Sequence, residues 1–371
     1  MQPLRWLGVG LLLALLVAVV FLRHAGASPG VRTVSVGTWP WAVAIDSPTG
    51  YAFVVERSTD ATGLATGLGR VSIGDTRTGA VLRTVAVGAD PRAVTVDERA
   101  GRVLVANDDD ASVSVLDAHT GALVTTIPVG ERPHGVAVDT QTGRIFVVNA
   151  GEGTVSVVDA LHEAVLRHVP LGEPFAAESA VVDARRDRVF IAGANAVAVL
   201  DARSGMLRRT IPVDPNAAHV AVDVRSGLVF VGGSRGLSVL DPRTGQMLRR
   251  LALGGLPTDV VVDSRRRHVL VVHTGAVDSN GVSLGGGSMS VLDARSGVVL
   301  RTVVVGVAPI AVAVDERSRR AVVVNAGDPV RIPDAWGQAL DWLRRWLPFV
   351  PPWATETRTA PGSVSIVDTS G

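Results

Sequence analysis

His134, Glu178 and His219 are the side chains of this sequence best suited to chemistry. Two imidazoles and a carboxylate can converge on a divalent metal, or act as acid and base toward a substrate. Each stands near the start of a repeated segment, so successive repeats would present them around one opening. The same register, five residues before a recurring aspartate, holds Trp41, Arg92, His134, Glu178, Ala218, Thr258 and Ile310, with His219 and Asp259 one position later. Ten residues past that aspartate stand Glu56, Asn107, Asn149, Gly193, Gly233, His273 and Asn325. Glu56 and His273 are therefore expected to join a polar arc that faces an apolar one at Trp41 and Ile310. Separate repeats should hold His134, Glu178 and His219 apart in the absence of a ligand. No catalytic residue, metal site or cofactor is assigned, and the absence of cysteine removes thiolate chemistry. The recurring asparagines are expected to satisfy loop backbone groups.

A second group is aromatic. Trp336, Trp342, Trp346 and Trp353 lie in one segment, whereas Trp39 and Trp41 stand where the chain enters the first repeat. From Asp334 to Leu347 the apolar positions Trp336, Leu340, Leu343 and Leu347 share one helical face, and Gln338, Asp341, Arg344 and Arg345 lie opposite. The spacing predicts a short amphipathic helix whose apolar face packs on Trp39 or Trp41, or else meets a partner or membrane. Arginines beside tryptophans, such as Arg344 and Arg345, could also stack with single-stranded nucleic acid. A formal net charge of +1 argues against that use.

The elements that position these residues are repeats. Pro-x-Ala-Val-x-Val-Asp or a close variant recurs seven times, ending at Asp46, Asp97, Asp139, Asp183, Asp223, Asp263 and Asp315. A second series of seven, ending Val-Ser-Val-Leu-Asp or nearly so, closes at Asp75, Asp117, Asp159, Asp201, Asp241, Asp293 and Asp368. Alternating Val-x-Val runs separated by Thr-Gly and Ser-Gly turns are half-buried antiparallel strands. Four such strands in a period of ~40–45 residues make the blade of a β-propeller. The expected fold is all-β: a seven-bladed propeller of four-stranded antiparallel blades, with strand positions A (innermost) to D (outermost). Loops 57–69, 274–287 and 326–362 are long insertions between positions B and C of blades 1, 6 and 7. Those blades are consecutive, so the insertions should raise one rim, and long loops on a rigid scaffold commonly carry function.

The last repeat lacks a strand D, and Arg32-Thr33-Val34-Ser35-Val36-Gly37 matches the missing piece. Thr33 to Val36 is thus expected to pair beside Val364 to Val367 and close the ring, leaving no open edge between the first and last blades. A ring closed in this way is expected to be a monomer.

Phe146-Val147-Val148-Asn149, Val322-Val323-Val324-Asn325 and Leu104-Val105-Ala106-Asn107 resemble the Tyr-Val-Thr-Asn element of the YVTN β-propeller repeats. The Pro…Val-x-Asp, Val-Ser-Val-Leu-Asp and Thr-Ile-x-Val-Gly pieces agree, over about residues 31–371. The resemblance implies an exported, cell-surface or periplasmic binding protein. Related propellers include lactonases, a streptogramin lyase and dehydrogenase subunits, but none of their catalytic motifs can be placed here.

Residues 7–22 form an unbroken apolar run between Arg5 and Arg23, followed by Ala25-Gly26-Ala27. That is the pattern of a signal peptide over 1–27, or of an uncleaved anchor tethering the chain to a membrane. Either way residues 28–371 would lie outside the cytoplasm. The leading expectation is a non-enzymatic binding scaffold that holds a protein, glycan or envelope component on the rim of blades 6, 7 and 1. The rival is a lactonase- or lyase-like hydrolase working at the channel mouth.

Overall fold

Strand B of each blade shows why the chain forms stacked sheets. Ile145-Phe146-Val147-Val148-Asn149 is buried throughout, so alternate side chains face different neighbouring blades. Ile145 and Val147 pack with Leu104, Val113 and Val115 of blade 2. Phe146 and Val148 pack with Val189, Ile191 and Leu200 of blade 4. The pattern repeats between every adjacent pair, blade 7 against blade 1 included. The core is therefore seven apolar seams rather than one centre, and each seam exists only when both neighbours are present.

A computed structural model describes residues 31–37, 39–58, 67–172, 177–253, 255–274, 286–327 and 362–369. Seven four-stranded antiparallel sheets are formed, six of them from consecutive strands. The seventh runs Val31–Ser35, Ser363–Asp368, Arg320–Asn325, Pro309–Asp315, so both termini build one blade. Its closing register joins Val31 to Val367 and Thr33 to Ser365, as the displaced strand required.

Both aspartate series are turn formers. Asp117 Oδ1 accepts the backbone N–H groups of His119 and Thr120 at 3.1 and 2.8 Å. Gly121 then takes φ +72°, where a side chain would be strained. These bonds to the ionised form, the Thr120 N–H first, hold the Asp117 carboxyl below the usual range.

One part of the expected architecture is corrected. Among the described residues every regular element is a strand, and no helix occurs. The seventh blade is completed by the strand pairs on either side of Ser363–Asp368, and needs no inserted helix to close. The helix expected over 334–347, with Trp336, Trp342, Arg344, Arg345 and Trp346, falls outside the described residues. So do the leader at 1–27 and most of the three insertions.

Candidate functional site at the channel mouth

The residues that stand five before each first aspartate do face the opening, and the structure supplies the reason. In strand A of six blades the pairing with strand B skips one residue, as between Pro133 and Gly135. The skipped residues are Trp41, Arg92, His134, Glu178, Thr258 and Ile310. A bulge leaves its extra residue unpaired and re-aims its side chain, here into the central channel. Together they line a cavity of about 480 Å³ with His219 and Asp259.

Blades 1 to 4 are joined there by one continuous charge network. Arg57 and Arg92 place their guanidinium carbons 4.8 and 5.1 Å from the Trp41 ring. Arg57 pairs with Asp90. Arg92 bridges Asp90 at 3.0 Å and Asp108 at 3.2 Å. Asp108, almost fully buried, also meets Arg132 at 3.4 Å and His134 Nε2 at 3.0 Å. The other ring nitrogen of His134 reaches Glu178 Oε2 at 3.0 Å. Asp90 and Arg132 approach from loops between blades in the left-handed region, at φ 47° and 53°. Those turns let the Asp90 and Arg132 carbonyls accept the Asp108 and Ala150 N–H groups, tying each loop to the next blade.

Electrostatics then decide what His134 can do. Burial opposes its charge, but the hydrogen bonds to Asp108 and Glu178 outweigh burial and carry its pKa up to about 9. For Asp108 burial acts upward, and is overcome by His134, Arg92 and Arg132, which hold the carboxyl low. Asp109, exposed overall, is pushed up by partial desolvation of its carboxyl and by the charges of Asp90 and Asp108. At neutral pH His134 is thus an imidazolium donating from both nitrogens. It has no lone pair for a metal and no capacity to take a proton.

The blades do not keep His134 and Glu178 apart, because their bulges aim both side chains at the shared seam. His219 turns the other way, with Nδ1 3.5 Å from Asp259 Oδ1. Asp259 in turn accepts the Val312 N–H at 2.9 Å, and Thr258 donates to the Pro309 carbonyl at 2.6 Å. Among the described residues no group of three or more histidines and carboxylates could hold a metal ion. Trp39 is half-buried at φ 51°, and its carbonyl accepts the Arg57 N–H.

Glu56 and His273 do not reach the mouth. Both are buried within their own blades. Glu56 Oε1 accepts the Gly37 N–H at 3.2 Å. His273 binds the Ser290 and Ser288 hydroxyls at 2.9 and 3.3 Å, and burial lowers its pKa. They replace the asparagines, which clamp strand C rather than the loops. Asn149 Nδ2 donates to Ser156 Oγ at 2.8 Å and Thr154 Oγ1 at 2.9 Å, and Ser156 also receives the Gly130 N–H at 3.3 Å. A Cβ on Gly130 would lie 2.5 Å from Asn149 Nδ2, which explains the glycine ending strand D. Asn149→Ala is expected to cost about 1–2 kcal/mol, two neutral hydrogen bonds in a buried site. Chemical denaturation checks this, and a cycle with Ser156→Ala should be non-additive.

The sequence matches no protein-family model and no curated protein. Among solved structures, a chain of Kuenenia stuttgartiensis hydrazine synthase is similar, with a TM-score of 0.63 and 16% identity. The match covers 79% of this chain and 94% of that one. At that identity the likeness extends to the fold alone, and the fold is a seven-bladed β-propeller.

Proposed function

We propose that this chain is an exported, non-enzymatic propeller of the YVTN-repeat kind that binds a protein, glycan or envelope component outside the cytoplasm. The mouth of the channel, together with the rim of blades 6, 7 and 1, is the binding face. Export rests on the apolar run at 7–22 and the Ala25-Gly26-Ala27 pattern, which would either be removed or tether the ring to a membrane.

The observation that carries the reading is the state of the mouth. Its cavity of about 480 Å³ is of the size that holds a small ligand or the tip of a larger one. Arg92, His134, Glu178, His219 and Asp259 are all engaged with one another, with Asp90 and Asp108, or with backbone. Such a surface is preorganised for recognition, and His134 within it already holds its proton. The Trp41 ring and the Glu178 carboxylate, 46% exposed, are the groups a ligand would meet.

Glycan arrays and cross-linking to envelope extracts, with wild type beside Trp41→Ala and Glu178→Gln, test the proposal. A retained ligand whose affinity falls at least about tenfold in both variants, with melting temperatures monitored, supports it. Turnover of lactone or ester substrates that disappears in His134→Gln would overturn it in favour of the hydrolase.

A further inference from the structure

On the face of the ring away from the mouth, neighbouring blades are stitched by an arginine. In strand D it stands opposite a fixed apolar residue of strand C. The pairs are Arg32–Ile366, Arg83–Ile73, Arg167–Val157, Arg209–Val199, Arg249–Val239 and Arg301–Val291. Each side chain lies toward the turn between strands C and D of the next blade. Arg83 donates to the Thr120 carbonyl. Arg249 donates to the Ser296 carbonyl at 2.9 Å, and Arg301 to the Asp368 carbonyl at 2.9 Å. The Nε atoms of Arg249 and Arg301 are buried, so the stems fill the seam and only the heads reach the turn.

Blade 2 departs from this rule. Opposite Val115 stands Thr125, too short to cross the seam. Between blades 2 and 3 a cavity of about 520 Å³ opens, floored by Leu104, Val115, Ile127 and Ile145. At the seam between blades 7 and 1, where Arg32 is present, the pocket between the matching residues Val322, Ile366, Ala52 and Gly79 is about 30 Å³ and does not reach the turns between strands A and B, as the larger one does. The facing turn is altered as well. Five other blades place Gly79, Gly121, Gly205, Gly245 or Gly297 there at positive φ, whereas blade 3 places Glu163 at φ 54°. Glu163 lines the cavity, and no ion pair or hydrogen bond of its carboxylate occurs among the described residues. Nor does any described side chain donate to the carbonyls of Ala160 to Glu163. Arg99 and Arg102 line the end of the cavity at the turns between strands A and B, where Arg99 already donates to the Thr140 and Gln141 carbonyls. At the other end, beside Glu163, the gap combines an apolar trough, carbonyls with no side-chain donor and an added carboxylate, the complement of an alkyl chain ending in a guanidinium.

We propose that the seam between blades 2 and 3 is a binding site for an arginine side chain of a partner polypeptide, which takes the place of the arginine missing at Thr125. A polypeptide source fits the surroundings. Leu123–Pro128 is the outer edge of its sheet, open to an added extended segment. Leu161, 85% exposed, lines the cavity and adds apolar surface. The site is on the opposite side of the ring from the mouth, so it stands or falls independently of the binding function proposed there.

The test uses residues 28–371 and a blocked tripeptide, acetyl-Leu-Arg-Leu-amide, followed by NMR or calorimetric titration. Its counterpart with citrulline keeps the shape without the charge. Saturable binding to wild type is expected, weakened at least about tenfold by citrulline and by Glu163→Gln. Thr125→Arg should supply the stitch internally, abolish peptide binding and raise the melting temperature. Glu163→Gln, at an exposed site, guards against misfolding as the cause of lost binding. No binding to wild type, equal binding to Thr125→Arg, or equal binding of the citrulline peptide would each overturn the proposal. Free arginine amide binding as tightly as the peptide would overturn the polypeptide source.

Discussion

A chain beginning at residue 38 is expected to lose cooperative unfolding and to aggregate, whereas one beginning at residue 28 folds normally. The shorter chain lacks Val31–Ser35, the outer strand of blade 7. Without it the backbone of Ser363–Asp368 becomes an open edge, a template for pairing with other chains. Val31 and Val36 also leave the seams that join blade 7 to blades 6 and 1. Each seam depends on both neighbours, so the loss is felt around the ring rather than in one blade. Thermal unfolding followed by circular dichroism, with light scattering, reads the result. An unchanged, reversible melt of the shorter chain would show that closure contributes little.

The second large effect is a pH-dependent contribution from His134. Its pKa of about 9 in the folded chain exceeds the ordinary 6.5. A group raised in this way binds its proton more tightly when folded, so its stabilisation is complete below about pH 6.5. It is lost progressively between 6.5 and about 9, and is absent above that. The displacement corresponds to at most about 3 kcal/mol, and solvent around Glu178, 46% exposed, reduces it to on the order of 2–3 kcal/mol. His134→Gln should therefore destabilise the protein by that amount at pH 6, and the two proteins should converge near pH 9. Denaturation midpoints across pH 6–9.5 give the curve. A difference that stays constant with pH would show that packing, and not the ion bridge between Asp108 and Glu178, is what His134 supplies.

Both predictions draw on different depths of information. The closing strand could be read from the chain itself, because Arg32 to Gly37 repeats the pattern of Arg83 to Gly88 and a blade is defined by its own local sequence. The register of the mouth was equally legible, since counting back from each aspartate finds Trp41, Arg92, His134 and Glu178. A signal for the bulges was also present: each of these residues precedes the alternating run, where the strict two-residue period is broken. Glu56 and His273 mislead the same counting, because strand B is buried on both faces and its last residue turns into the blade.

What the sequence determined alone was the number of blades, the strand order and the way the ring closes. These follow from short-range causes, namely two-residue alternation, Asp-x-x-x-Gly turns and small residues where strands end. What only the tertiary structure decided was which side chains meet. Asp108, His134 and Glu178 belong to three blades, and only the curvature of the ring and the bulged strands bring them within 3.0 Å of one another in turn. Thr125 is likewise unremarked in a row of residues, and acquires meaning only beside the turn of the next blade. The physical reason is the same in both cases: backbone pairing is specified by neighbours in the chain, whereas charge pairing and cavity volume depend on distances across seams that no local pattern encodes.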